Sequence, residues 1–270
     1  MRLDDVRGFV FDVDGTLVHR AGEEVHVIPG AREVLERIRA SDRPFAIFTN
    51  GSHMPPHGFA RGLRDAGLPV ADDQMLTPLR SFLYYLERHR RPGAGVRLFG
   101  TASAERYLAA AGVRLLGPEA TESAEVIFVA HVDEVDMTDL ERAARAVMGG
   151  GRLLTGSYVP AYAGANGPII SRGAMVAAAI AKASGSRPTI VGKPSKAAVG
   201  VIGEQLGLPT EQLAVIGDDL VMDIGLGHLG GSRTVLVRSG ISGSIDLDRV
   251  AERRRPHAVI AGVAELLDLL

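Results

Sequence analysis

The stretch GFVFDVDGTLVHR, residues 8–20, leads an apolar run directly into two aspartates separated by a single residue. A short run rich in β-branched and aromatic residues, without polar alternation, is typical of a parallel strand that is covered on both faces. In open α/β sheets, ligands gather beyond the carboxyl ends of the strands. The stretch therefore predicts a buried strand over residues 8–11, with Asp12 and Asp14 at the ligand-binding edge of a sheet.

Apolar runs of the same kind recur along the chain. They are FAIF (45–48), LAVIG (213–217), TVLV (234–237) and AVIA (258–261) in its outer parts, and VRLFG (96–100), AEVIFVAH (124–131) and RLLTG (152–156) in its middle. Ala31, Val34, Leu35 and Ile38 form a helical stripe between the first two strands. Strand, helix and strand then follow at the spacing of a right-handed βαβ unit. The predicted fold class is α/β with a Rossmann-like parallel sheet.

The middle of the chain has a set of strands and helices of its own. The two edges of residues 79–187 carry the breaker-rich segments TPLRS and SGSRP. We expect this segment to be an inserted α/β cap domain, and residues 1–78 and 188–270 to build the core together. One helix of the insert is signalled by Thr138 and Glu141, which match the T-x-x-E capping box.

Composition limits the classes of function. The 270 residues carry 30 Lys plus Arg against 32 Asp plus Glu, so no broad attraction to nucleic acid or to anionic lipid is expected. The absence of cysteine excludes disulfides, thiolate catalysis and cysteine-based zinc sites. The N-terminal residues lack the apolar segment of a signal peptide, and no apolar run has the length of a membrane span. We expect a cytoplasmic protein.

The two aspartates need an explanation, because carboxylates this close raise each other's pKa. A cation between them, or a reaction that needs one charged and one protonated carboxyl group, removes the conflict. Gly15 permits a tight exit from the loop, and Thr16 can hydrogen-bond within it. The alternative is an aspartate-rich surface turn, which is common for an isolated D-x-D-G, although an apolar strand leading into the turn argues against it.

Three further segments place polar groups where strands end or helices begin. Thr49 and Asn50 follow the run at 45–48, and Asp218 follows the run at 213–217, with Asp223 five residues later. Lys193 stands directly before a helix that is predicted to begin at Pro194, a position that attracts anions. Each segment alone is explained by a turn, a surface lysine or a helix cap. Together they indicate one site.

With these segments in this order, the sequence resembles the haloacid dehalogenase superfamily of phosphotransferases. Its four motifs read DVDGT (12–16), TNGS (49–52), GKP (192–194) and GDDLVMDI (217–224), and they extend over nearly the whole chain. The insert between the second and third motifs resembles the α/β cap of the class IIA branch, which includes NagD-like and p-nitrophenyl phosphatases.

The resemblance implies a role for each motif residue. Asp12 would be the nucleophile that takes the phosphoryl group, and Asp14 would protonate the leaving alcohol and later deprotonate water. The side chains of Asp12 and Asp218 and the main-chain carbonyl of Asp14 would hold Mg²⁺, while Asp223 would orient its waters. The groups expected to bind the substrate phosphate are Thr49, Asn50, Gly51 and Lys193.

The implied function is a Mg²⁺-dependent phosphatase that hydrolyses a small phosphomonoester through an aspartyl phosphate. Dehalogenases have no leaving alcohol to protonate, so Asp14 favours phosphoryl transfer. A phosphomutase and a non-catalytic phosphometabolite-binding protein on the same fold are the alternatives. The segment GLGHLG (225–230) matches a dinucleotide pattern, but it begins well after its strand and lies in a predicted helix. A homodimer through the cap is left open.

Five residues of the expected site region have no assigned role. They are His53, His57, His131, Tyr158 and Tyr162. His131 and the two tyrosines stand where the branch usually has other residues, which leaves the identity of the phosphorylated metabolite open. For His131, Tyr158 and Tyr162, a structural role and a contact with the leaving group are both retained. Of His53 and His57, which directly follow the second motif, one is retained as a candidate for facing the substrate.

Overall fold

The computed structural model describes residues 2–21, 24–89, 91, 93–117, 120, 123–162 and 169–270. The strands are β1 (Gly8–Phe11), β2 (Val18–Ala21), β3 (Glu24–Val27), β4 (Phe45–Phe48), β5 (Met75–Leu76), β6 (Val96–Phe99), β7 (Val126–Val129), β8 (Arg152–Thr155), β9 (Ala161–Tyr162), β10 (Ile169–Ile170), β11 (Thr189–Ile190), β12 (Leu213–Gly217), β13 (Arg233–Val237) and β14 (Ala258–Ile260). The α-helices are α1 (Ala31–Ala40), α2 (Pro56–Asp65), α3 (Pro78–Arg88), α4 (Ala102–Ala110), α5 (Met137–Met148), α6 (Arg172–Ser184), α7 (Lys196–Leu206) and α8 (Gly225–Leu229).

The larger sheet has six strands in the order β14-β13-β12-β1-β4-β5, and every neighbouring pair is parallel. The residues of β1, β4 and β12 are buried throughout, as strands covered on both faces must be. Helices α1 and α2 pack on one face of this sheet, and α7 and α8 on the other. The predicted α/β fold with a Rossmann-like sheet is confirmed.

A second parallel sheet has four strands in the order β11-β8-β7-β6. Helices α3 and α4 cover one of its faces, and α5 and α6 cover the other. Phe82 of α3 stacks on Phe128 of β7 with ring centroids 4.1 Å apart. Strand β11, which follows the expected boundary at 187, pairs with this sheet. The division into core and cap stays a prediction.

Two helix starts differ from their expected positions. Helix α5 begins at Met137, because the side chain of Asp136 accepts a hydrogen bond from Thr138 N and caps the helix before Thr138 can. Helix α7 begins at Lys196 rather than at Pro194. Its N-cap is Ser195, whose hydroxyl accepts from Ala198 N. Lys193 therefore lies three residues ahead of the first helical residue.

The hairpins β2-β3 and β9-β10 were not among the predicted elements. The first follows Asp14 directly and carries Arg20, so it brings a cation back beside the motif that precedes it. In the described part of the chain, no helix combines the length and the apolar character that crossing a bilayer requires. The cytoplasmic location stays a prediction.

Candidate active site

Strand register brings the ends of three strands together. Phe11, the last residue of β1, pairs with Ile216 of β12 on one side and with Ile47 of β4 on the other. The residues that follow these strands therefore emerge at the same edge of the sheet. The N–H of Asp12 still donates to the carbonyl of Ile216, over 2.9 Å, which fixes where Asp12 leaves the strand.

Lys193 lies in the segment that connects β11 of the smaller sheet to α7 on the larger sheet, and its ammonium group lies at this edge. Nζ is 2.6 Å from Oδ1 of Asp12 and 2.6 Å from Oδ1 of Asp223. The side chain of Lys193 is 2% exposed. Burial alone would lower the pKa of Lys193, but the Asp12 and Asp223 carboxylates outweigh it and raise that pKa. Lys193 is therefore a permanent buried cation.

A third carboxylate adds negative charge to the same cluster. One oxygen from each of Asp12, Asp218 and Asp223 lies within 4.8 Å of the others. Burial, followed by the charges of Asp12 and Asp223, raises the pKa of Asp218 to about 8. Burial and the charge of Asp12 also raise the pKa of Asp223. The single positive charge of the Lys193 ammonium group therefore does not balance the negative charge of three ionised carboxylates.

This donor set fits a hard divalent cation, which takes carboxylate oxygens and water as ligands. Both oxygens of Asp223 are engaged, one by Lys193 Nζ and the other by Asp219 N at 3.1 Å. Asp218 accepts from Ile241 N at 2.7 Å through Oδ2, and no described residue donates to its Oδ1, which leaves that oxygen for a cation. Asp12 and Asp218 are therefore the better placed ligands, and Asp223 is better placed to hold Lys193.

A segment that the sequence analysis missed fixes Asp218. The loop after β13 packs so closely that a Cβ on Gly240 would lie 1.8 Å from Oδ2 of Asp218, and a Cβ on Gly15 would lie 2.4 Å from it. The hydroxyl of Ser239 donates to the carbonyl of Gly15 and ties the two loops together. The sequence does contain a signal for this loop, because the loop directly follows the end of the strand predicted at 234–237.

Asp14 lies at the outer side of the cluster. Its Oδ1 accepts from Nε of Arg20 at 2.6 Å, and its side chain is 51% exposed. Partial burial raises the pKa of Asp14 and the charge of Asp12 adds to this rise, while Arg20 opposes it. Asp14 is thus the most exposed carboxyl group of the predicted set.

The TNGS segment is used differently from its predicted role. Thr49 is buried, and its Oγ1 accepts from Gly51 N at 3.1 Å. Asn50 is bound to the backbone of Lys193 through both ends of its carboxamide. The Asn50 side chain and the Gly51 N–H therefore have protein partners, whereas the Thr49 hydroxyl donates to none of the described residues. Phosphate binding by this segment stays a prediction.

Two of the unassigned residues meet near the site. His53 follows the TNGS segment and His131 follows β7, and their rings are 5.6 Å apart in an edge-to-face arrangement. His57 lies on the exposed surface of α2, and the side chains of Tyr158 and Tyr162 are exposed. Asp219 caps the helical turn Leu220–Ile224 by accepting from Val221 N and Met222 N.

Comparison with known proteins agrees with this geometry. Residues 9–114 match the family model described as haloacid dehalogenase-like hydrolase, and residues 190–266 match a second HAD-hydrolase-like model. The chain is 26% identical to the dihydroxyacetone phosphatase of Corynebacterium glutamicum, over 96% of this chain and 90% of that protein. It is 28% identical to the ribonucleotide monophosphatase NagD of Escherichia coli K12, over 97% and 98%.

The fold agrees as well. The crystal structure of a 4-nitrophenylphosphatase from Thermotoga maritima superposes with a TM-score of 0.87 and 26% identity, covering 99% of each chain. The matched segments contain all four motifs, DVDGT, TNGS, GKP and GDDLVMDI. This chain belongs to the haloacid dehalogenase-like hydrolases, in their NagD-like branch.

Proposed function

We propose that this protein is a phosphatase that hydrolyses small phosphomonoesters through a phosphorylated Asp12. The observation that carries the proposal is the placement of the Lys193 ammonium group between Asp12 and Asp223, with Asp218 beside them. A phosphoryl group has three equatorial oxygens that need positive charge, and a nucleophilic carboxylate must be held in line with the ester oxygen. The cluster offers a held carboxylate and a buried cation at one point.

In the first step, Oδ of Asp12 attacks phosphorus and the bond from phosphorus to the ester oxygen breaks. Asp14 gives its proton to that oxygen, so the alcohol leaves neutral. Lys193 compensates the negative charge of the transferring group without moving, because its Nζ is already held by two carboxylates. In the second step, Asp14 takes a proton from water and the water oxygen bonds to phosphorus. The bond from phosphorus to Oδ of Asp12 then breaks, which gives inorganic phosphate and the free Asp12 carboxylate.

Mg²⁺ is the cation that this donor set fits, held by Asp12 and Asp218 with the carbonyl of Asp14 as the further proposed ligand. When bound, it would neutralise carboxylate charge and draw negative charge from the phosphoryl oxygens. Residues 79–187 are proposed to form a cap over the edge of the larger sheet. Such a cover would exclude bulk water and favour small phosphorylated metabolites over phosphoproteins.

Phosphate release from p-nitrophenyl phosphate and sugar phosphates with Mg²⁺ tests the proposal. We expect Asp12→Asn to lower kcat by about a thousandfold or more while the melting temperature stays close to that of the wild type. Asp248→Asn is the matched control, because the Asp248 side chain is 95% exposed. EDTA should stop turnover and Mg²⁺ should restore it. An active Asp12→Asn variant, or turnover that EDTA does not affect, would refute the mechanism.

A further inference from the structure

The group that leaves with the ester oxygen must lie next to Asp14, since Asp14 is proposed to protonate that oxygen. The guanidinium of Arg20 contacts Asp14, and its Nε donates to Oδ1 of Asp14. Arg20 lies on β2 of the hairpin that follows the first motif, and its side chain is 38% exposed. The leaving group of a bound substrate would therefore lie beside a permanent cation, the Arg20 guanidinium.

The Arg20 guanidinium has unused donors. Within the described ranges, its only hydrogen bond is the one from Nε to Asp14, so both terminal Nη groups lack an acceptor. A guanidinium presents its two Nη groups as a planar fork, which matches the two oxygens of a carboxylate. An acceptor bound there would lie within a few ångströms of an ester oxygen that is hydrogen-bonded to Asp14.

The imidazole of His53, directly after the TNGS segment, contacts the imidazole of His131. The His53 ring is half-buried, packs on Phe59 and His131, and has no hydrogen bond on either ring nitrogen from any residue that the structure describes. His131 lies 3.2 Å from Asp133. Burial lowers the pKa of His53, and the nearby charges of His131 and Arg20 lower it further. Among the described residues, the His53 ring therefore keeps an open donor and an open acceptor.

We propose that Arg20 is a specificity-determining residue that binds a carboxylate on the leaving alcohol, so that the preferred substrates are phosphate esters of short hydroxy acids. The inference rests on the proposed phosphatase function and extends it to the leaving group. A charge-assisted, two-pronged contact is worth about 1.5–3 kcal/mol, or roughly ten- to a hundredfold in kcat/KM.

The test compares two substrates that differ in a single group. In 3-phosphoglycerate a carboxylate replaces the terminal hydroxymethyl group of glycerol 3-phosphate. With Mg²⁺ present, we expect the wild type to prefer 3-phosphoglycerate by about tenfold or more in kcat/KM. Arg20→Gln should bring the ratio close to one, mainly by raising KM for 3-phosphoglycerate, and Arg20→Lys should keep part of the preference. Arg32→Gln is the control, because Arg32 pairs with Glu36 on the exposed face of α1.

Each other outcome is decisive. A wild type that prefers glycerol 3-phosphate overturns the proposal. An Arg20→Gln variant that loses activity equally on both substrates also overturns it, because Arg20 would then act only through Asp14. A preference for fructose 1,6-bisphosphate over fructose 6-phosphate without one for 3-phosphoglycerate would assign the cation to a second phosphate instead. Turnover of p-nitrophenyl phosphate distinguishes a failure of the Arg20 inference from a failure of the proposed phosphatase function. Absence of that turnover would overturn the phosphatase function itself.

Discussion

The carboxamide of Asn50 makes two hydrogen bonds with the backbone of Lys193, accepting from its N–H at 2.7 Å and donating to its carbonyl at 2.9 Å. A third contact runs from Nδ2 to the sulfur of Met222 at 3.2 Å. Asn50 thus holds the main chain from which the Lys193 ammonium group extends to Asp12 and Asp223. It lies in the motif expected to bind phosphate, but its side chain positions the cation.

We expect Asn50→Ala to lower kcat by about ten- to a hundredfold, since a misplaced Lys193 no longer compensates the transferring charge. KM for p-nitrophenyl phosphate should change far less than kcat. Gln205→Ala is the control, because Gln205 also donates to a main-chain carbonyl, that of Asp73, but on the exposed surface. Equal kcat values for Asn50→Ala and the wild type would show that Lys193 holds its position without Asn50.

Gly240 should not tolerate a side chain, because a Cβ there would lie 1.8 Å from Oδ2 of Asp218. Gly240→Ala must displace either the Asp218 carboxylate or the loop that donates the Ile241 N–H to it. We expect a loss of about 1–3 kcal/mol in the free energy of unfolding. Mg²⁺ should also bind more weakly, so that half-maximal activity needs a higher Mg²⁺ concentration.

The matched control is Gly262→Ala, which has no atom within 4 Å of the added Cβ. Denaturant unfolding and a Mg²⁺ titration of activity measure the two effects. A Gly240→Ala protein with wild-type stability and wild-type Mg²⁺ dependence would contradict the role assigned to this loop.

The carboxylate cluster predicts how stability varies with pH in the metal-free protein. The pKa of Asp218 is raised to about 8 and that of Asp223 is also raised, so between the ordinary carboxyl range and about pH 8 the folded protein binds protons that the unfolded chain releases. The contribution of these groups to stability is therefore present at low pH and is lost as pH rises through their folded pKa values.

Mg²⁺ competes with protons for the same oxygens, so its effect on the melting temperature should grow with pH. We expect a larger increase on adding Mg²⁺ at pH 8 than at pH 6, measured by differential scanning fluorimetry at constant ionic strength. The rise in melting temperature on adding Mg²⁺ should be smaller in Asp218→Asn than in the wild type. The same increase at both pH values, or an undiminished one in Asp218→Asn, would show that the cation binds elsewhere.

An aromatic stack joins α3 to the smaller sheet. Phe82 and Phe128 are fully buried, and their rings lie parallel within 4°. Phe128→Ala should lower the free energy of unfolding by about 3–5 kcal/mol, because it removes the transferred apolar surface and leaves a cavity. Phe128→Leu should cost clearly less. A loss below about 1 kcal/mol in Phe128→Ala would mean that the surrounding helices collapse into the space.

The strands and several site residues could be predicted from the sequence because their signals are local. A buried parallel strand reads as a short apolar run, and its end is visible where polar residues begin, as at Asp12 and Asp218. The start of α5 could not be placed by the same reasoning, because Asp136 and Thr138 both suit an N-cap, and the local backbone decides between them.

The sequence by itself determined the α/β class, the residues at the strand ends and the presence of a lysine suited to an anion. Only the tertiary structure decided which of these groups have protein partners: Asn50 is tied to a residue 143 positions away, Asp218 to the loop at Gly240, and Arg20 to Asp14. The physical reason is that a hydrogen bond depends on distance in space. Register and chain crossings, which set those distances, leave no local pattern in the sequence.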